Sequence, residues 1–322
     1  MSDVSFDSYG LRFTNEMIKV LRPSGNMEEN HTMKTICFGE ILFDVFPSYE
    51  VLGGAPLNVA IHLARLGTES LVVSSVGDDE RGDKAISEIK RNGLSDEFIN
   101  KSEYDTGIAQ IIIDGNKTDY EFNAPSAWDD ILVSDNHLDS LKKSKIDALV
   151  FGTLALRSSQ NEKALDYLLS LGIFEVLYDV NLRKDFFSAS LIDRCIERST
   201  ILKFNNEEAS VIAHLYGTTE SDLPDYLLSK FNKLKMVLVT EGERGLTLHT
   251  REMKLHADAT KGEFVDSVGA GDSVSAAFLN YYLKGCPLGE CLKKASILAG
   301  AVVSSKGATS DYPEGLLELL SK

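Results

Sequence analysis

The chain has 322 residues, 43% of them hydrophobic and 25% charged, which suits a folded protein with room for one large α/β domain or two smaller ones. Acidic side chains outnumber basic ones 49 to 33, a formal charge of −16. That balance excludes a partner held by neutralising a nucleic-acid backbone or an anionic membrane surface. It leaves room for a small anion, because a few oriented backbone N–H groups can hold a phosphate inside an acidic protein.

In chain order, residues 1–32 carry scattered acids and no continuous apolar stretch, so they read as an extension without a signal peptide. Leu11 to Leu21 has the spacing of a short amphipathic helix. The four cysteines, Cys37, Cys195, Cys286 and Cys291, form no zinc-spaced set and suit a reducing cytosol, and no run reaches the ~20 apolar residues of a membrane span. A cytoplasmic location is expected.

From Met33, strand-like apolar runs alternate with helical periodicity, the pattern of a largely parallel sheet covered by helices. Thr35 to Val45 opens as one buried strand, and Leu57 to Leu66 follows as a helix stopped by Gly67. Leu71 to Val76 is a strand and Asp79 to Asn92 a helix ending at Gly93. Ile108 to Ile113 and Thr118 to Phe122 break the alternation as a hairpin, read either as an ordinary edge or as a lid over a cleft. Further strands are Ala148 to Phe151, Phe174 to Val180, Ile201 to Phe204 and Met236 to Thr240, and the stretch from Asp272 is almost all helix.

The most informative segment is FVDSVGAGDSVSAAF, residues 264–278. Gly269, Ala270 and Gly271 make a small-residue turn at the start of a long helix, where backbone N–H groups and the helix dipole favour an anion. Small residues there let a phosphate approach the backbone. Asp272 is placed to take the proton of a hydroxyl attacking a phosphoryl group held in the turn. A plain turn with Asp272 as a helix cap is the alternative. No GxxxxGK[ST] is present, which excludes a P-loop, and Val274 with the helical C-terminus argues against a dinucleotide fingerprint.

Near the start, Asp44 falls at a strand end, Gly53 and Gly54 allow close approach, and Asn58 offers a donor and an acceptor, a set suited to a ligand rich in hydroxyls. Asn181 and Arg183, then Lys203, Asn205, Asn206 and Glu208, then Thr240, Gly242 and Gly245 follow at other strand ends. Any one of these groups alone is a solvated loop with a cap. Their common edge is what points to a ligand.

Taken together, GGAPLNVAIHLARLG, DVNLR, NNEE and VDSVGAGDSVSAAF resemble the PfkB (ribokinase-like) family of carbohydrate kinases, and within it the fructokinases, over roughly Met33 to Pro313. The resemblance implies a three-layer α/β/α sandwich over residues 33–322 with a small β-sheet lid from about 45–52 and 106–123. It implies ATP as donor, a sugar as acceptor, Mg²⁺, and a homodimer through the lid sheet. It makes Asp272 the base, with Gly269, Ala270 and Gly271 as the anion hole. Asp44, Gly53, Gly54, Asn58, Arg157, Asn181 and Arg183 would face the sugar. Lys203, Asn205, Glu208, Thr240, Gly242, Gly245, Lys306 and Gly307 would face the nucleotide, with Asn205 and Glu208 around Mg²⁺. Asp266 and the Val268 carbonyl would sit at a K⁺ site. The chain departs from the fructokinase pattern at Ser267, Val268, Val274, Ala276 and Ser296. Ala55 and Pro56 follow the glycine pair, and Ala55 supplies no cation for a phosphorylated sugar. The expected reaction is phosphorylation of the 6-hydroxyl of fructose. A keto-deoxy acid, ribose or a nucleoside as acceptor, or a catalytically silent sugar-binding protein, are the alternatives.

Overall fold

Two sheets of different size meet at one edge of the molecule in the computed structural model, which describes residues 32–114 and 117–322 and, ahead of them, the antiparallel pairing of Ser5–Phe6 with Arg12–Phe13. The helix expected over Leu11 to Leu21 falls outside the described residues except at Arg12 and Phe13, which are paired as strand.

In chain order the strands are β1 (Lys34–Phe38), β2 (Leu42–Val45), β3 (Glu50–Gly53), β4 (Glu69–Gly77), β5 (Ile99–Ser102), β6 (Gly107–Asp114), β7 (Lys117–Phe122), β8 (Ala148–Gly152), β9 (Glu175–Asp179), β10 (Ile201–Asn205), β11 (Met236–Thr240), β12 (Leu246–His249) and β13 (Lys254–Ala257). The helices are α1 (Ala55–Arg65), α2 (Glu80–Arg91), α3 (Asp135–Lys143), α4 (Ser159–Leu169), α5 (Ala189–Arg198), α6 (Asn206–Tyr216), α7 (Leu223–Lys230), α8 (Ala270–Leu283), α9 (Leu288–Val303) and α10 (Leu316–Ser321).

The large sheet has nine strands in the order β13-β12-β11-β10-β9-β8-β1-β4-β5. From β11 to β5 every pairing is parallel, while β12 and β13 close one edge antiparallel. The continuous apolar runs have their cause here. Strands β8 and β9 are buried along their whole length because helices cover both faces, so there is no solvent side to alternate with. One face packs on α1, α2, α8, α9 and α10, with Leu63, Ile89, Phe278 and Leu292 at its centre. The other packs on α3 to α7 through Leu165, Ile192, Ile212 and Leu227. The result is the expected three-layer sandwich. Among the described residues no helix is long and apolar enough to cross a membrane.

The small sheet has the order β3-β2-β6-β7 and is the lid candidate. Its β2 corrects the reading of Thr35 to Val45 as one strand. At Gly39 (φ +148°) the backbone turns out of the large sheet, so β1 and β2 belong to different sheets. Leu42, Ala109 and Trp128 pack with Leu154 and Ala155 to seat the small sheet on the body, with Tyr120, Phe122 and Phe186 around them. The hairpin β6–β7 forms as expected, its turn at 115–116 lying outside the described residues.

Helix ends follow local chemistry. Asp79 caps α2 through Gly82 N at 2.7 Å and also accepts from Thr106 N at 2.7 Å, pinning the start of β6. Gly67 (φ +85°) and Gly93 (φ +79°) end the first two helices in the left-handed region. The stretch from Asp272 is less helical than expected, since residues 304–315 run between α9 and α10 without helix. That irregular stretch is fastened by His62 on α1. A carbonyl can only accept, so His62 Nε2 donates to Ala308 O (2.9 Å), which leaves Nδ1 to accept from the Tyr312 hydroxyl (2.7 Å). Burial holds the imidazole down to a pKa of about 4, so it stays neutral.

Candidate active site

Helices α1 and α8 pack side by side, and residues in their first turns meet: Asn58 Nδ2 donates to Asp272 Oδ2 at 2.8 Å. The bond brings together the two signature segments, 214 positions apart in the chain. Because the Asn58 nitrogen is committed to a carboxylate, its Oδ1 is fixed as an acceptor, and it is buried with no partner among the described residues. Burial pushes the Asp272 carboxyl up to about 6. The Asp179 carboxylate pushes the same way, and the Asn58 bond, Lys203 and Arg183 hold it back. At neutral pH it is ionised, yet far more basic than an exposed aspartate.

Asp44 comes from the small sheet and points at the same charges. Burial raises it to about 6 against the pull of Arg183. Gly53 lies diagonally across the β2–β3 pair, where a β-carbon would come within 2.8 Å of Asp44 Oδ2. At Gly54 (φ +115°) a β-carbon would sit 2.2 Å from the Glu40 carbonyl. Backbone therefore demands glycine at Gly54, whereas Gly53 meets only the movable end of the Asp44 side chain. The same holds in the anion-hole turn. Gly269 (φ +77°) would collide with Ala308 Cα at 2.5 Å, and a β-carbon at Gly271 would lie 2.7 Å from Lys203 Nζ. Packing against the Ala308 backbone thus requires glycine at Gly269 in addition to any clearance a phosphate needs, while Gly271 meets only a movable side-chain end.

Lys203 is not in a loop at a strand end. It lies within β10, 6% exposed, and Nζ donates to both Asp179 oxygens at 3.0 Å. Ser275 Oγ on α8 donates to Asp179 Oδ2 at 3.0 Å, so Asp179 ties β10 and α8 to β9 behind the turn. Asp179 was missed at the sequence level. It stands two positions before Asn181 in the DVNLR segment, and the only signal was a charged residue ending an otherwise apolar run. Asn181 (φ +40°) and Lys184 (φ +45°) bend the following loop so that Arg183 faces Asp44 and Asp272. Glu40 was also missed. It is 2% exposed and its Oε1 accepts from Ala55 N at 3.2 Å, supplying the cap that Gly54 cannot. Burial lifts it to about 7, with Asp272 adding to the effect.

Arg157 is drawn away from that cluster. It grips Asp129 through Nε and Nη2, both at 2.7 Å, donates to Asn123 O at 2.8 Å, and lies over the rings of Trp128 and Phe186. It braces the seat of the small sheet.

Asn205 and Glu208 form a reciprocal cap on α6. Asn205 Oδ1 accepts from Glu208 N and Glu208 Oε2 from Asn205 N, both at 2.9 Å, while Glu208 Oε1 accepts from Leu182 N at 3.0 Å. Each of these oxygens accepts one backbone N–H and keeps a second lone pair, so the cap fixes the pair in place, and among the described residues no group of three or more acidic, histidine or cysteine side chains is placed to hold a metal. Asp266 closes the turn, Oδ1 accepting from Val268 N (3.0 Å) and Oδ2 from Gly307 N (3.1 Å). Thr240 ends β11, with Gly242 and Gly245 in the turn to β12. Lys306 is exposed and its Nζ sits 4.8 Å over the Tyr49 ring, so the tip between β2 and β3 touches the loop beside the turn. Ser296, one of the departures from the fructokinase pattern, is buried and holds the segment after β13, donating to Asp258 O (2.7 Å) and accepting from Thr260 N (2.9 Å).

Two carboxylates, an amide and a guanidinium thus gather at one strand edge, beside a turn whose N–H groups open a long helix. That arrangement can hold a polyhydroxy compound, orient one hydroxyl against an electrophilic anion and accept its proton. The chain is 29% identical over 313 residues to probable fructokinase-4 of Arabidopsis thaliana, covering 86% of this chain and 93% of that one. A fructokinase with bound ATP from Xylella fastidiosa superposes with a TM-score of 0.78 at 20% identity, over 89% of this chain and 97% of the other. A fructokinase from Vibrio cholerae O395, in a fructose-, ADP- and calcium-bound form, does so at 0.75 and 20%, over 90% and 98%. The model of the pfkB family of carbohydrate kinases matches residues 43–315. With that match, on this fold, the chain belongs to the pfkB family of carbohydrate kinases.

Proposed function

We propose that the protein is an ATP-dependent fructokinase, carrying the γ-phosphoryl group of ATP to the 6-hydroxyl of fructose to give ADP and fructose 6-phosphate. The observation that carries the reading is the Asn58–Asp272 bond, which points a carboxylate of raised basicity past the Gly269–Gly271 turn. In the transfer the sugar oxygen forms its bond to the γ-phosphorus, the bridge from that phosphorus to the β-phosphate oxygen breaks, and the hydroxyl proton passes to Asp272. ADP leaves with the bridging oxygen. A carboxylate with a pKa of about 6 does not deprotonate an alcohol beforehand; it orients the hydroxyl and takes the proton as the new bond forms. The N–H groups of the turn and the α8 N-terminus meet the charge on the phosphoryl oxygens. Asp44 and Asn58 hold sugar hydroxyls, with Arg183 balancing the acids. A divalent ion, when bound with the nucleotide, supplies charge neutralisation on the phosphates.

Fructose is favoured as acceptor by the names of the relatives and by Ala55, which offers no countercharge for a phosphosugar. The four-stranded sheet acts as the lid, and its outer face is the expected dimer contact. A monovalent cation beside Asp266 belongs to the same reading, and an increase in turnover with added KCl would support it. The free thiols suit the cytosol. The deciding experiment is a sugar panel scored by ADP release. Fructose should give the highest kcat/KM. A higher value for ribose or a keto-deoxy acid overturns the acceptor, and no sugar-dependent release with any acceptor overturns the kinase.

A further inference from the structure

The sugar-side groups leave one buried atom without a task. Glu40 directly follows the turn out of β1 and is 2% exposed. Its Oε1 caps α1, and its Oε2 is buried with no hydrogen-bond partner among the described residues. One helical turn further along, Asn58 Oδ1 is in the same condition. Buried acceptors are nearly always satisfied in folded proteins, so two unsatisfied ones at the first turn of one helix ask for donors. The helix cannot supply them at its second position, where Pro56 has no N–H. The charged groups that bear on the Glu40 carboxyl are Arg183 and Asp272, both members of the acceptor cluster. A cap needs one carboxyl oxygen, and Glu40 has two.

We infer that Glu40 is a further acceptor-binding residue of this site, its free Oε2 receiving a hydroxyl of the bound sugar beside the one received by Asn58 Oδ1. The inference rests on the kinase reading above and deepens it: the pocket selects a polyol through buried oxygen acceptors, and an acceptor lacking the matching hydroxyl leaves one of them unpaired. A buried acceptor left without its donor discriminates against such an analogue.

The full chain carrying Glu40→Gln tests this. The amide oxygen keeps the cap on Ala55 N, while an NH₂ donor replaces the free acceptor. The KM for fructose should rise ~10-fold, the usual scale for losing a buried hydrogen bond, with the KM for ATP within about twofold. The melting temperature should stay close to that of the unaltered protein. Monodeoxy fructose analogues that keep the 6-hydroxyl supply the second readout. One of them should lose ~10-fold in kcat/KM with the unaltered protein and about twofold or less with Glu40→Gln. Should Glu40→Gln fold poorly, Glu40→Asp retains the charge and withdraws the oxygen, and the same analogue comparison applies. An unchanged KM for fructose, or equal losses for every analogue in both proteins, would overturn the inference and leave Glu40 a helix cap. Failure of the unaltered protein to release ADP with any sugar would count against the kinase reading, a result separable from this one.

Discussion

The acceptor end and the donor end of the site are built on different terms. At the acceptor end Glu40, Asp44, Asn58 and Asp272 are packed against one another or against backbone, and the three carboxyls have all been driven above their ordinary range by burial. At the expected donor end Gly242 and Lys306 are exposed, while Lys203 and Glu208 are buried and tied to Asp179 and to backbone N–H groups. The acceptor end fixes its reactive groups before a ligand arrives, and the fold bears the cost of holding them dry. The expected donor end joins exposed turns to side chains that already hold one another, with their carboxyl and amide groups engaged in capping and an ion pair. Selectivity and basicity belong to the first, tolerance to the second.

The hardest blow to that contrast is Asp272→Ala. Turnover should fall by ~10²–10⁴, the range for losing a general base, while ATP affinity by calorimetry changes little. Turnover near that of the unaltered protein would remove Asp272 from the chemistry.

The pH dependence follows next. Activity needs the ionised carboxylate, so kcat/KM should drop as pH falls through about 6 rather than near the ordinary value of 3.8. Stability runs the other way. A carboxyl with a raised folded-state pKa binds its proton more tightly in the fold, so its contribution is fully present below the unfolded pKa and is lost as pH rises through the folded one. Asp272→Asn should therefore melt above the unaltered protein at pH 8 and lose that advantage by pH 4, read by calorimetry. An advantage independent of pH would mean the carboxyl is not strained by burial.

The anion-hole glycines separate backbone from side-chain constraint. Gly269→Ala meets Ala308 backbone from a left-handed φ, so it should cost ~2 kcal/mol or more in chemical denaturation. Gly271→Ala meets only the movable end of Lys203 and should cost ~1 kcal/mol, with a roughly tenfold loss of kcat as the Lys203–Asp179 pair shifts. Reversed magnitudes would return the explanation to phosphate clearance.

The smallest effect on turnover is expected at His62→Phe, which keeps an aromatic ring and removes both hydrogen bonds. Loss of the link to Ala308 and Tyr312 should cost ~1–2 kcal/mol, with kcat close to unchanged. A collapse of turnover would show that the anion-hole turn depends on that link.

Much of this was legible from the residues, and the failures share a cause. Parallel strands buried on both faces announce themselves as apolar runs, so β8 to β11 were found near their true bounds. The short edge strands β12 and β13 were not, because four-residue segments, the first buried throughout and the second partly exposed, carry little pattern. The break at Gly39 was invisible because apolar residues continue on both sides, and only the existence of a second sheet separates β1 from β2. Asp272 and Asn58 could be placed in one site because each opens a recognisable helix. Asp179, Glu40 and the true partner of Arg157 depend on contacts across the chain, such as the 28 positions between Arg157 and Asp129, which no local spacing records.

The way the small sheet is spliced into the chain bears on how such a protein changes over generations. It leaves the body twice, between Phe38 and Ala55 and between Ser102 and Ala127, and each time the chain resumes the large fold. Asp272, Asn58, Asp179 and Lys203 lie outside both excursions, and of the groups gathered around the acceptor only Asp44 and Glu40 lie within them. On the proposed reading, a change confined to the first excursion touches the acceptor while Asp272, Asn58, Asp179 and Lys203 stay in place, and grafting each excursion separately from a relative would show which of them carries a preference.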